Sequence, residues 1–278
     1  MHPFTSLKDA NVGGTREVLR LAARHRTVPV HYLSTTGVFA GKQAKGKPLA
    51  TDAPTGPAEA LPSGYLRSKW VAEQVIGIAR DRGLPVSVHR VDVISGDQVN
   101  GACQTRDFVW LSLRGLLRAG AVPAGLVAEV PLTPVDYVSA AVVTLSRQSD
   151  TAGRTFHLYH QSHLTFADFI GELRLAGHRL EDVDWESWRS LIRSDTDNAM
   201  LPLPEAFEMM ARDNAAFYPP VDTSVAERAL AGTGVVCPPM TVDLFRRYVD
   251  FFVGAGFLPA AQEANDTGQR EEPQPRFR

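Results

Sequence analysis

The 278-residue chain is 44% hydrophobic and 22% charged, with a formal net charge of -2, a composition suited to a soluble globular fold with one large core or two modest ones. It has no basic stripe and no acidic block before its tail, which excludes the electrostatic footprint of a nucleic-acid or membrane-surface binder. Cys103 and Cys237 belong to no CxxC pair, no signal peptide opens the chain, and no apolar run approaches the roughly 18 residues that would span a bilayer, so a reducing cytoplasm is the expected location.

From Ser6 to His25 the residues Leu7, Ala10, Gly14, Val18 and Leu21 recur at helical spacing, while Lys8, Arg16, Glu17 and Arg20 take the other side. This predicts one amphipathic helix. Asn11 falls on its apolar face, where an amide must find a hydrogen bond. VPVHYLSTTGVF, Val28 to Phe39, reads as a buried strand that stops in the hydroxyl cluster Ser34, Thr35 and Thr36. GKQAKGKPLATDAPTGPAEALPSG follows, without periodicity, and predicts a long surface loop. The next helix should begin near Tyr65, capped by Ser63, and stop at Gly83 ahead of Pro85. A second strand is expected over Leu84 to Ile94, ending at Gly96, and a third at Thr155 to Tyr159. Strand, helix and strand alternate, which implies a parallel sheet.

Helices are expected from about Thr105 to Ala119 and over Val135 to Gln148. Beyond Gln161, LTFADFIGELRLAG, VDWESWRSLIRS, Glu205 to Phe217 and Val242 to Phe252 predict further amphipathic helices. The expected fold class is α/β, with an incomplete Rossmann-like, doubly wound parallel sheet over residues 1–160 and a smaller, mostly helical subdomain over 161–260. The polar, Pro-containing stretch 261–278 should be disordered.

The chemistry centres on SGYLRSKWVAEQV. Tyr65 and Lys69 lie one helical turn apart on one face, so an ammonium can sit near a phenol and favour its ionised form. Lys69 is the last lysine of a chain that otherwise uses Arg, and an always-charged guanidinium could not replace a tunable ammonium. A hydroxyl at the C-terminal end of a buried parallel strand sits where open α/β sheets place ligands. Thr35 is the candidate to hydrogen-bond a substrate oxygen, with Ser34 and Thr36 competing because neighbouring strand residues face opposite ways. HLYHQSH sets His157, His160 and His163 at steps of three, but on a strand such residues point to opposite faces, so structural histidines are expected and no metal site.

LKDANVGGTREVLRLA, HYLSTTGVF, GYLRSKWVAEQV, RGLPVSVHRVDVISG and VPLTPVDYVSAAVVTL, in that order, resemble the extended short-chain dehydrogenases/reductases. Within them they resemble the thioester reductase domains that terminate nonribosomal peptide and polyketide assembly lines. The resemblance covers Leu7 to about His160. It implies Thr35, Tyr65 and Lys69 as catalytic residues, and Asn11, Ser34, Val93, Ile94 and Gly96, with Tyr65 and Lys69, on the NADPH side. Substrate contacts are expected at Thr36, Phe108, Trp110 and Leu111, with Phe166, Trp185 and Trp188 as weaker candidates. The implied partner is an acyl or peptidyl carrier protein bearing a phosphopantetheine-linked substrate, together with upstream synthetase modules or a separate N-terminal fragment. The implied reaction is reduction of the thioester to an aldehyde, with a further step to the alcohol left open. A nucleotide-sugar epimerase or dehydratase shares the Thr, Tyr and Lys, and a non-catalytic remnant serving as an interaction module is the reading from a different class.

The family's Gly-rich first turn binds the cofactor pyrophosphate through backbone N–H groups and a helix N-terminus. This chain has no such turn: Gly232 to Gly234 follow ERALA, and Gly254 and Gly256 follow a predicted helix. At roughly 30 residues per strand-helix unit, the expected turn would lie on the order of 90 residues before Asn11. A chain beginning inside its domain, with the full NADPH site not present, is therefore the expectation.

Overall fold

In the computed structural model, which describes residues 3–41 and 47–261, the chain opens with the one-turn helix α1 (Phe4–Leu7), passes through a π-helical segment (Lys8–Gly13) and continues as α2 (Gly14–Ala23). The single helix expected here is therefore interrupted. A π turn changes the angular step between residues and re-phases the faces that follow. Val12, Leu19 and Ala22 are the buried members, whereas Val18 and Leu21 of the expected stripe are 52% and 66% exposed. Leu19 and Ala22 pack with Ile76, Val86 and Val88, so the second apolar face is the one left uncovered.

β1 (Val30–Thr35), α3 (Gly64–Asp81) and β2 (Val86–Val91) make a strand-helix-strand unit with β1 and β2 parallel. Then come β3 (Val93–Ser95), α4 (Phe108–Ala119), β4 (Ala121–Pro123), β5 (Glu129–Val130), β6 (Leu132–Pro134), α5 (Val135–Ser146) and β7 (Thr155–Leu158). β7 pairs parallel with β2, giving a described sheet of order β1-β2-β7 with β1 at its edge. β8 (Leu164–Thr165), α6 (Phe166–Leu175), β9 (Glu181–Val183), α7 (Trp185–Ser194), α8 (Pro204–Arg212), α9 (Asn214–Phe217), α10 (Ser224–Leu230) and α11 (Val242–Gly254) follow. The expected helix over 205–217 is thus split in two at Asp213. Three short pairs, β3 with β6, β4 with β9 and β5 with β8, are too brief to give a period-2 signal in the sequence.

The largest core joins Trp110, Phe166, Trp188, Phe207, Phe245 and Phe252. α4 therefore shares its packing with residues beyond 161, although it precedes them in the chain. The expected surface loop after β1 is pinned where it is described: Leu49 N–H donates to Pro220 O and Asp222 N–H to Leu49 O, both at 2.8 Å, and Leu49 is buried with Val221. The expected disordered tail lies, apart from Ala261, outside the described residues, as does the stretch 42–46 of the loop. No described helix is long and apolar enough to cross a membrane.

α3 is fastened to the sheet by a buried ion pair. Arg90 of β2 donates through Nη2 to Glu73 Oε2 at 2.6 Å and through Nε to Oε1 at 3.0 Å. Its Nη1 donates to Thr51 O at 3.2 Å, and the guanidinium lies over the Phe39 ring at 4.7 Å. Each guanidinium nitrogen thus has a partner, which is the condition under which a buried pair is tolerated. Glu73→Gln leaves Arg90 buried without its countercharge and should destabilise the fold by about 3–5 kcal/mol, read as a lower urea midpoint; an unchanged midpoint contradicts this assignment.

The three histidines set at steps of three have separate structural partners. His157 Nδ1 lies 3.0 Å from Asp222 O and its Nε2 3.3 Å from Arg90 Nη1; His160 Nδ1 accepts from Ser162 N–H at 2.8 Å; His163 meets the Tyr159 ring edge-on at 4.9 Å. Burial holds His157 and His163 down to about 4, with Arg90 and His160 respectively adding to the shift. His89, stacked on Phe156, is held to about 4 by burial and by His31. The unfolded chain binds protons on these rings below about pH 6.5, where the folded chain does not until about pH 4, so stability falls as pH drops through that window. The carboxyls of Asp92 and Asp107, raised by burial, act in the opposite sense over part of the same range, so the check is a difference: from pH 7 to pH 4 the urea midpoint of the native chain should drop relative to that of His163→Phe, and parallel profiles would place that ring in water.

Candidate active site

Ser63 Oγ accepts from Leu66 N–H at 3.2 Å and caps α3 as expected, placing Tyr65 in its first turn. Ser68 Oγ donates to Tyr65 O at 2.7 Å and accepts from Asn11 Nδ2 at 2.8 Å, so Asn11 ties the N-terminal helical segment to α3. Thr35 closes β1, and its Oγ1 accepts Gly37 N–H at 3.1 Å. That bond caps the following turn (Thr36–Phe39) and leaves the Thr35 O–H available as a donor. Gly37 permits the approach of α3: a Cβ there would stand 2.5 Å from the Leu66 side chain.

Thr35, Tyr65 and Lys69 line one cavity of about 650 Å³, together with Ser34 and Ile94. Ser34 is 2% exposed, and its Oγ has no hydrogen-bond partner among the described residues. A second cavity of about 430 Å³ includes Asn11, Tyr32 and Val18, and Lys69 and Leu33 border both. Lys69 Nζ donates to Leu33 O at 2.6 Å and sits over the Tyr32 ring at 4.3 Å. Burial lowers its ammonium to about 8, against the opposing pull of Glu73.

The electrostatics of Tyr65 differ from expectation. Tyr65 stands at the cavity mouth, 47% exposed, and its phenol is pushed up by burial and by the carboxylates of Asp107 and Asp92. Lys69 is not among the groups that shift the phenol; its ammonium donates to Leu33 O and sits over the Tyr32 ring. A raised phenol stays protonated through neutral pH, the state required of a proton donor.

Other expected contacts are placed elsewhere. Thr36 is buried, donates to Asp92 Oδ2 at 2.5 Å and does not line the cavity. Val93 and Gly96 are also absent from the lining. A Cβ on Gly96 would come within 2.4 Å of Gly101 O and 2.8 Å of Tyr248 Cδ1, so this glycine serves backbone packing. Trp110 is wholly buried against Tyr248 and Phe252, and Phe108 packs on Phe207 and Phe217. Leu111 does not line the cavity either. Phe166 and Trp188 are core residues and Trp185 packs against them. Aromatics at helical spacing satisfy core packing first, and here they have done so.

In their place the cavity takes Asp92, Ser95, Cys103, Gln104 and Asp107, which the sequence reading passed over. Asp107 carried a usable signal, an N-cap residue before the apolar run FVWLSL; its Oδ1 accepts Val109 N–H at 2.9 Å. Asp92 lay inside RVDVISG without any pattern to distinguish it.

Comparison with known proteins gives the family. Residues 1–142 match the NAD_binding_4 family, described as Male sterility protein. The chain is 30% identical over 276 residues to a linear gramicidin synthase polypeptide of Brevibacillus parabrevis, covering 96% of this chain and 5% of that protein. It is 33% identical over 271 residues to the isonitrile lipopeptide synthase of Streptomyces coeruleorubidus, covering 94% of this chain and 18% of that protein. The chain thus spans a small part of the curated relatives it matches. Among solved structures, the terminal R domain of the myxalamid PKS-NRPS biosynthetic pathway superposes with a TM-score of 0.82 at 35% identity, over 94% of this chain and 67% of that one. With more than half of its length in the family match, a parallel α/β sheet and a Thr-Tyr-Lys cavity at the end of β1, this chain belongs to the NAD_binding_4 (Male sterility protein) family.

Proposed function

We propose that this chain carries the acid-base residues of a cytoplasmic, NADPH-dependent reductase that converts a carrier-protein-bound acyl or peptidyl thioester to an aldehyde. The convergence of Thr35, Tyr65 and Lys69 on one cavity, in a chain 35% identical to a terminal R domain, carries the reading. The Lys69 ammonium, at the border of the two cavities, suits the polar nicotinamide-ribose end of such a cofactor. A reduced nicotinamide, when bound, supplies the hydride.

The protein's part follows from the side chains. Thr35 and Tyr65 donate to the carbonyl oxygen of the thioester, where negative charge develops, and Tyr65 releases its proton to that oxygen. The resulting hemithioacetal collapses to an aldehyde and the carrier thiol. Lys69 would hold ribose hydroxyls and replenish the Tyr65 proton; with its ammonium near 8, it can serve both as donor and as acceptor close to neutral pH.

The pyrophosphate end has no counterpart among the described residues. Gly232 and Gly234 follow α10, and Gly256 follows α11, so none opens a helix after a strand as phosphate binding requires. Calorimetric titration of NADPH into residues 1–278 should accordingly give no micromolar binding, and tight binding by a monomer would reveal a nucleotide site of the chain's own.

The function is tested by following NADPH consumption with an acyl-pantetheine thioester, trapping the aldehyde as an oxime, on this chain and on any longer protein that contains it. Tyr65→Phe should lower turnover by about two orders of magnitude or more with an unchanged melting temperature. Lys69→Met should also lower it and weaken cofactor affinity. Near-native turnover in Tyr65→Phe would remove that phenol from the chemistry, and absence of thioester-dependent oxidation throughout would overturn the reading.

A further inference from the structure

We propose that this cavity selects acyl groups bearing a protonated amine, held by the carboxylates of Asp107 and Asp92 beside Tyr65. The inference rests on the reading of the cavity as the acyl-thioester site and names its substrate class. The two carboxylates come from different elements, Asp92 from the residue after β2 and Asp107 from the N-cap of α4, and both line the cavity that holds Tyr65 and Lys69.

Each carboxylate is anchored by neutral donors, Asp92 by Thr36 Oγ1 at 2.5 Å and Asp107 by Val109 N–H at 2.9 Å. Neither joins an ion pair among the described residues. Lys69 is the one cation in the lining among the described residues, and its ammonium is directed to Leu33 O and the Tyr32 ring. Both are half-buried, and a carboxylate withdrawn from water is ordinarily paired, because an uncompensated charge there is costly.

The cost is visible in the groups themselves. Burial pushes the Asp92 carboxyl up to about 7 and the Asp107 carboxyl up to about 6, with Asp107 adding to the shift at Asp92. A ligand cation would supply the missing countercharge. The buried Ser34 hydroxyl, which lines the same cavity, has no hydrogen-bond partner among the described residues. An ammonium brings three N–H donors, enough to serve two carboxylates and one hydroxyl oxygen, whereas an aliphatic acyl chain would leave the carboxylates without a countercharge and the hydroxyl without a partner. A carboxylate-bearing acyl chain would add a third negative charge and is disfavoured.

The test uses two hydrolysis-resistant probes, the butyryl and 4-aminobutyryl amides of a pantetheine in which NH replaces sulfur, titrated by calorimetry into the 278-residue chain at 150 mM salt. The amino probe should bind about tenfold or more tighter, as charge-assisted hydrogen bonds in a desolvated site do. Asp107→Ser, which removes the charge and keeps a helix-capping side chain, should cut the difference to about twofold or less, and Asp92→Asn should reduce it in the same direction. Melting curves confirm that each variant is folded. Equal binding of both probes by the native chain would overturn the amine preference and leave the acyl-site reading standing. Binding of neither probe at millimolar concentration would overturn both.

Discussion

The Glu73–Arg90 pair is the interaction on which the site depends. Glu73 lies one helical turn beyond Lys69 and two beyond Tyr65 on α3, so fixing its carboxylate to β2 sets both the rotation and the axial position of the helix face that bears them. Arg90 reaches the loop at Thr51 and the His157 ring on the neighbouring β7 as well. One guanidinium therefore ties helix, loop and two strands together, and the position of the phenol at the end of β1 follows from that docking. The pair has little scope for variation, since removing either charge strands the other in a dry environment.

The same constraint explains the division of labour around the cavity. With α3 fixed, Lys69 comes to lie over the Tyr32 ring and against Leu33 O, between two cavities. Tyr65 is left facing two carboxylates. The phenol is thus kept protonated by its surroundings, and the lysine is kept tunable by burial with Glu73 as its counterweight. The proposed reduction needs a proton delivered to an oxygen as charge develops there, and both effects favour that direction of transfer.

A second consequence concerns the β1 edge. Among the described residues β1 is paired only on its β2 side, and Leu33, Val18 and Leu21 stand exposed beside it. An open strand edge bordered by apolar side chains is a surface with a strong tendency to associate. The large aromatic core, by contrast, is closed: the rings of α4, α6, α7, α8 and α11 interlock, so the helical part is a packed body and not a reservoir of open aromatic contacts.

Much of the fold was legible in the sequence because its signals are local. The hydroxyl-ended strand before a proline- and glycine-rich loop, the Ser63 cap, the Tyr65–Lys69 spacing and the Gly83–Pro85 stop each depend on residues within a few positions of one another, and they determined the parallel β-α-β unit and its Thr-Tyr-Lys set. What the tertiary structure decided is which neighbours those residues meet. Periodicity marks a helix as amphipathic, yet the π turn at Lys8–Gly13 chose Val12, Leu19 and Ala22 over the stripe read from spacing. Aromatic content marked Phe108 and Trp110, but packing consigned Trp110 to the core and gave the cavity wall to Asp92 and Asp107, which come from separate segments and share no pattern. The charge state of Tyr65 belongs to this second class. The one-turn spacing implied a lysine that ionises the phenol, whereas burial and two carboxylates from distant segments hold its proton in place, because an electrostatic environment is a sum over space and not over sequence.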